Sequence, residues 1–513
     1  MSDENHALPE GWVNSTIGEV ARIVTGKTPS TKKPEYHGGD IPFVKPGDLD
    51  GEGNLTLTES YVTELGATQA PRLPVSTVLI SCIGNLGKVA ILERDAICNQ
   101  QINAILPTAA LESSFTFYWA RTIRPWMERN ASATTVTILN KGRFEGAPVV
   151  IPPLAEQRRI VSKIESLQER SSRARRALSE VGPLLEQFRQ SVLQAAFSGR
   201  LTADWRAANP DIEPASELLS RIRTERRHRW EQSELAKYEA KAKKPPKNWK
   251  DKYKEPEPVQ ADELDIFHDQ TLPDGWLWAP AELIVEPDAE IVYGIVQPGK
   301  KLEVGVPYVR GKDIVDGIIL VDQLLKTSQK IAAKYERASL RGGDVLLGII
   351  RATKVAIVPD ILQGANITQG TARFRPSSIL RTKFLAGWLE SPYAQHWLHS
   401  HYRGIDMPGL NLRDVRRLPV PIIPLLEQEA IESTVATAIE SIGTTKINAA
   451  ESETALTQLD QSILAKAFRG ELVPQDPNDE PASELLARIR SARDAATKPK
   501  KKATRKRVKK AEA

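Results

Sequence analysis

A chain of 513 residues, 41% hydrophobic and 26% charged, is too long for one domain and apolar enough to build cores, which excludes a disordered protein. It has no apolar run of about 18 residues, which argues against a membrane-spanning helix; its polar opening MSDENHALPEGW is no signal peptide, and two cysteines without a CxxC or HExxH pattern argue against structural zinc and leave a cytoplasmic protein in which Cys82 and Cys98 are buried reduced thiols. The net charge of +5 is uneven, since Arg221 to Pro256 holds 13 Lys/Arg against 6 Asp/Glu and Lys498 to Lys510 holds 9 basic residues and no acid, so the remainder carries −11 and bulk charge alone does not establish nucleic-acid binding.

Residues 1–150 are rich in Gly, Pro and short β-branched runs such as VLISCI and KVAIL, which predicts a mixed α/β domain with buried strands. FTFYWARTIRPWMERN, Phe115 to Asn130, reads as a helix packed on that sheet. A Pro-rich hinge, Pro148 to Pro153, leads into a helical region over residues 151–220. There a heptad seam runs through Ile160, Ile164, Leu167, Ser171, Ala174, Leu178, Val181, Leu185, Phe188 and Val192. Pro183 should kink or interrupt that helix. Residues 221–271 form a charged linker in which Trp230, Tyr238, Trp249 and Tyr253 alternate with basic residues, a composition suited to docking a partner.

The second half repeats the first. LPEGW (Leu8 to Trp12) returns as LPDGW (Leu272 to Trp276) at an offset of 264, and PFVKPGDL (Pro42 to Leu49) as PYVRGKDI (Pro307 to Ile314) at 265. TVLISCIGNLGKVAI from Thr77 is echoed by DVLLGIIRATKVAI from Asp344. IPPLAEQRRI (Ile151 to Ile160) and QSVLQAAFSGRL (Gln190 to Leu201) recur as IIPLLEQEAI (Ile422 to Ile431) and QSILAKAFRGEL (Gln461 to Leu472), both at 271. EPASELLSRIR from Glu213 returns as EPASELLARIR from Glu480. Residues 272–421 are therefore a second globular domain, with Trp388 to Tyr402 as a helix on its sheet. Residues 422–490 are a second helical region, with a seam through Ile431, Val435, Ile442, Leu456, Leu459 and Ile463. Residues 491–513 are a basic, low-complexity, disordered tail.

Two helices of matching length and register predict mutual pairing as an antiparallel coiled coil with internal pseudo-two-fold symmetry. Each globular domain enters the N-terminus of its own helix, so antiparallel pairing places the domains at opposite ends of a rod. About 40 residues rising about 1.5 Å each make that rod roughly 60 Å long. Such a rod suits a split DNA sequence whose gap is set by the spacer.

The PPLxEQ phrase at Pro152 to Gln157 and its echo at Pro424 to Gln428, the LPEGW openings and the AFxGxL helix ends at Ala196 and Ala467 resemble the specificity subunit of type I restriction-modification systems. The resemblance covers the whole chain apart from the Lys-rich tail. It implies two target recognition domains, each reading one half of a gapped double-stranded DNA site, and helical regions that space them and dock two modification (methyltransferase) subunits. Adenine-N6 methylation, and cleavage by added restriction (translocase/nuclease) subunits, would lie in those partners, together with S-adenosylmethionine, ATP and Mg. No [ND]PPY motif and no P-loop occurs in the chain, in keeping with a subunit that is not an enzyme, binds no metal and holds no cofactor of its own. Base or phosphate contacts are expected from loops between short strands. Candidates are Lys45, Asn85, Lys88, Gln100, Asn140, Lys141 and Arg143 in the first domain, and Arg310, Lys312, Arg351, Lys354, Gln369, Arg403 and Asn411 in the second. Arg and Lys suit guanine, Asn and Gln suit adenine, while most such contacts go to phosphates. A coiled-coil scaffold with two protein-binding end domains would share this architecture; selective DNA binding by the assembled complex separates the two readings.

Overall fold

The computed structural model describes residues 8–50, 53–133, 136–267 and 272–497. Of the tail expected to be disordered, 491–513, residues 491–497 instead continue the helix Ala482–Thr497, whose EPASELLARIR sequence carries on into the helix-favouring SARDAAT, and the rest lies outside the described residues. The chain forms two units, Met1–Leu178 with Ala450–Ala513, and Ser179–Ala449. Each unit takes one globular domain, the first half of that domain's long helix and the last half of the other.

The first unit has a five-stranded sheet in the order Ile23–Thr25, Ile102–Ile105, Val78–Ser81, Val89–Leu92, Asn54–Leu55. A three-stranded sheet joins Tyr61–Val62, His37–Val44 and Ile97–Cys98. The VLIS strand is buried at every position, as expected of a strand covered on both faces. The second unit repeats this plan. Its main sheet runs Val292–Tyr293, Thr371–Phe374, Val345–Gly348, Val355–Ile357, and its smaller one Leu325–Thr327, Val306–Val309, Asn366–Ile367. Both expected sheet-covering helices are broken in two, as Ser113–Thr122 with Arg124–Asn130 and Thr382–Glu390 with Pro392–Ser400. Proline explains the second break. Ser391, held extended before Pro392, ends one helix, and its hydroxyl accepts from Ala394 N at 3.3 Å to start the next.

Cys82 and Cys98 are buried, and burial pushes both thiols up to about 12. A thiol reagent at pH 8 should therefore modify neither in the folded chain and both in denaturant, read by intact mass. Native-state labelling of either would contradict this burial.

The long helices are Leu154–Phe197 and Leu425–Phe468, 44 residues each. In the first unit Ile160 and Ile164 share a core with Ile463 and Ala467, while Arg175 bonds Glu453 at 3.2 Å and Asp460 at 2.8 Å. Early residues of one helix thus meet late residues of the other, and the pair is antiparallel. The second unit, taken alone, shows the same sense: Leu193 and Phe197 pack with Ile431 and Val435. Leu167, Leu178, Leu185, Val192 and Leu456 are half-buried and Ile442 is buried. Phe188 and Leu459, expected on the seam, are each 49% exposed. The departure is local, since Leu185 and Val192 on either side of Phe188 stay half-buried and Ile463 after Leu459 is buried. At each place the next residue along the helix turns inward to an ion pair instead, Arg189 to Glu390 at 2.5 Å and Asp460 to Arg175 at 2.8 Å. The first helix also runs unbroken through Pro183, whose ring removes one backbone donor without ending it.

The duplicated phrases meet at one joint in each unit. An antiparallel ribbon, Val13–Thr16 on Pro148–Ile151 or Leu277–Pro280 on Pro419–Ile422, brings the two ends of the globular domain together. Beside it Trp12 Nε1 donates to Glu156 Oε2 at 2.9 Å, and Trp276 Nε1 donates to Glu427 Oε2 at 2.8 Å. The adjacent glutamine clamps the hinge. Gln157 Nε2 donates to Ala110 O and Pro152 O, and Gln428 Nε2 to Ile379 O and Ile423 O, all at 3.0 Å. The helix-ending glycines Gly470 and Gly199 adopt φ of 76° and 75° and lie against Pro9 and Pro273, where a side chain would collide with the ring. The EPASELL helices start there too, Ala482 N donating to Gly11 O at 3.0 Å and Ala215 N to Gly275 O at 3.3 Å.

Candidate nucleic-acid interface

In each unit several loops gather at one end of the sheets. In the first, the hairpin loop after Val78–Ser81 is pinned by Ser81 Oγ, which donates to Asn85 O at 2.6 Å and accepts from Lys88 N at 2.9 Å. Cys82 N donates to Gln101 O at 2.8 Å, Gly84 N to Thr137 O and Leu139 N to Cys82 O, both at 2.9 Å. Asn99 N reaches Val44 O at 3.0 Å, so Lys45 leaves its strand at this same end. The structure thereby collects Lys45, Asn85, Lys88, Gln100, Asn140 and Lys141 on neighbouring loops.

The second unit matches it. Ile349 N donates to Gly370 O at 3.0 Å, Leu410 N to Ile349 O and Arg351 N to Pro408 O at 2.8 Å, and Thr368 N to Val309 O at 3.1 Å. These bonds draw together the loops carrying Arg310, Lys312, Arg351, Gln369, Arg403 and Asn411. Gln100 and Gln369 occupy equivalent places, each following a short strand paired in parallel with the middle strand of the smaller sheet.

The candidates differ in what their side chains already hold. Asn140 and Asn411 cap short helices, accepting from Arg143 N and Arg413 N at 2.9 Å. Arg310 grips Asp313 through Nε at 2.8 Å and Nη2 at 2.6 Å, and Lys354 Nζ donates to Ile314 O at 2.8 Å. Lys141 pairs with Glu145 at 3.4 Å, and Arg143 Nη1 reaches Asn130 O at 3.3 Å. Lys45 Nζ donates to Ser60 Oγ at 2.7 Å, and Gln100 Oε1 accepts from Thr28 at 2.5 Å. Asn85, Lys312, Arg351 and Gln369 are exposed, and Arg403, also exposed, meets Asp414 at 2.9 Å. Arg351 sits in the left-handed region at φ 68°, a strained position for a residue with a side chain. Two short pairings at this loop end, Ser132 with Ile138 and Arg403 with Gly409, went unread in the sequence; the signal for the second was RGIDMPG, in which Gly404 takes a φ of 94°.

A family model described as the type I restriction modification DNA specificity domain matches residues 9–179 and 297–452. The chain belongs to that family. It is 25% identical over 511 residues to the type I restriction enzyme EcoBI specificity subunit of Escherichia coli, covering 98% of this chain and 96% of that one. The EcoDI specificity subunit, also from E. coli, is 24% identical over 97% of this chain and 98% of the relative. The fold is shared with the HsdS subunit from Thermoanaerobacter tengcongensis, at a TM-score of 0.54 and 21% identity, covering 92% of this chain and 100% of the other. A chain from a structure described as "Structural basis underlying complex assembly and conformational transition of the type I R-M system" gives a TM-score of 0.59 at 20% identity, over 91% and 99%. This is a specificity subunit with two DNA-recognition domains and paired long helices. Specificity subunits have a non-catalytic role, and among the described residues no helix is long and apolar enough to cross a membrane.

Proposed function

We propose that this specificity subunit reads a gapped DNA sequence, one half-site per recognition domain, and recruits the subunits that methylate adenine and cleave DNA. One observation carries the reading: in each unit, separately, equivalent loops bearing exposed Arg, Lys, Asn and Gln converge on one end of equivalent sheets. Arg351 and Arg403 suit guanine O6/N7, Asn85, Gln100 and Gln369 suit adenine N6/N7, and Lys45, Lys88 and Lys312 suit phosphates. Unequal loop chemistry in the two units implies unequal half-sites. The paired long helices would set the gap. The segment from Arg221 to Pro256 would dock a modification subunit; in support, Trp230 stacks on Trp249 with centroids 5.9 Å apart beside Tyr253, which holds the end of the segment against its helix, Ala215–Ala240. S-adenosylmethionine, ATP and Mg would be held by the partners.

The test is methylation by the purified chain, alone and with modification subunits, followed by mapping of methylated adenines. The expected result is no transfer by the chain alone and, in the complex, methylation at one two-part sequence with a fixed gap. Transfer by the chain alone would overturn the non-catalytic assignment. A complex that binds all DNA equally would overturn base reading and favour a scaffold.

A further inference from the structure

Each unit carries a short backbone pairing at its loop end. In the first, Ser132 pairs with Ile138; in the second, Arg403 and Gly409 exchange two backbone bonds of 2.9 Å. The two stand at the same offset of 271 as the helical regions. Both are anchored to the main sheet's hairpin loop, through Gly84 and Cys82 in one and Arg351 and Ile349 in the other. Both show apolar side chains to water. Ile405 is 99% and Met407 60% exposed, while Val136, which stands where Met407 stands, is 49% exposed.

An aliphatic side chain held in water on an anchored loop adds nothing to folding and gains only when a partner covers it. The chemistry around the tip identifies that partner. Arg351 and Arg403 flank it, with Arg351 Nη2 3.5 Å from Met407 Sδ, and favour a polyanion. Asp406, exposed between Ile405 and Met407, would be repelled by phosphate but can accept from the cytosine amino group. The tip therefore suits base edges and the arginines suit the flanks. A narrow backbone loop, closed here by one bridge between Arg403 and Gly409, can enter the major groove, where the one apolar group a base pair displays is the thymine 5-methyl.

We propose that the Arg403–Gly409 loop enters the major groove and that Ile405, with Met407, recognises thymine by packing on its methyl group. This rests on, and deepens, the reading of the second domain as a half-site reader. The test uses the full methyltransferase complex, wild type and Ile405→Ala/Met407→Ala, on duplexes of the mapped sequence carrying deoxyuridine for thymidine throughout one half-site or the other. In the half-site read by the second domain, uracil should weaken wild-type binding about fourfold for each methyl lost. The variant should bind the thymine and uracil duplexes alike. The proposal fails if uracil has no effect on the wild type, or if the variant keeps the full uracil penalty. It also fails if the variant loses equally on both duplexes, or if it loses methyltransferase subunits instead of DNA. A wild-type complex that does not distinguish the mapped sequence from a scrambled one would instead overturn the half-site reading itself.

Discussion

Glu427→Gln should destabilise the Ser179–Ala449 unit by about 3 kcal/mol, while Glu156→Gln should shift the other unit by no more than about 1 kcal/mol. The two glutamates occupy the same place in the duplicated PLxEQ phrase and both are buried. Their partners differ. Glu427 Oε2 accepts from Trp276, and its Oε1 accepts from Thr202 Oγ1 at 2.7 Å and Arg206 Nη1 at 2.6 Å. Three donors converge on it, one of them charged, so either orientation of a glutamine amide turns an NH2 group against a donor and strips Arg206 of its counter-charge. Glu156 accepts from Trp12 and, at 3.3 Å, from the amide of Gln475. A glutamine keeps the first bond and forfeits only the long one. Burial, the largest influence, holds the Glu156 carboxyl above its ordinary range against the pull of Trp12 and Gln475. A carboxyl raised in this way contributes stability that is full below its ordinary pKa and is lost as pH rises through the folded value. Neutral glutamine removes that loss, so the first unit should become less pH-sensitive in the substituted chain. Hydrogen exchange of peptides spanning each joint reads the two units separately. Equal losses at both joints would refute the assignment of Arg206 as the deciding partner.

The copies differ at the joint for a reason visible in sequence. Thr202 and Arg206, just past the first helix end, correspond at the common offset to Val473 and Pro477. What the repeat could not reveal is that LPxGW, PLxEQ, AFxGxL and EPASELL form one contact set. Their residues are kept alike because each satisfies a bond or a close approach made by another, such as Gly199 against Pro273. The phrases most useful for recognising the family thus hold the domain to its helix, and DNA reading falls to loops where the copies diverge. The strands were legible because VLIS and VLLG are apolar on both faces. The roles of Asn140, Asn411, Arg310 and Lys354 were not, since a helix cap, an ion pair to Asp313 or a bond to Ile314 O is fixed by folded geometry and has the same residue type as a base contact. The exposure of Phe188 and Leu459 was not legible either, because a heptad pattern does not show that the next residue, Arg189 or Asp460, is drawn inward by an ion pair.

Exchanging residues 13–151 for the counterpart of a relative should replace one half of the methylated sequence and leave the other half and the gap unchanged. The boundaries follow from the structure. Val13 pairs with Ile151 in the closing ribbon, so a cut at Val149 would join half-strands from different proteins and misalign the register. Taking both strands moves the ribbon as a unit. Trp12, Glu156, Gly470 and Ala482 remain from this chain, and the joint that seats the domain is retained. Changing even three base pairs of the site at about 1–3 kcal/mol each should leave the original sequence bound at least about 100-fold more weakly. Mapping methylated adenines in cells carrying the hybrid and the modification subunits gives the answer directly. If both halves of the sequence change, base reading is shared across the two domains, and the assignment of one half-site to the loops around Asn85 and Gln100 is wrong.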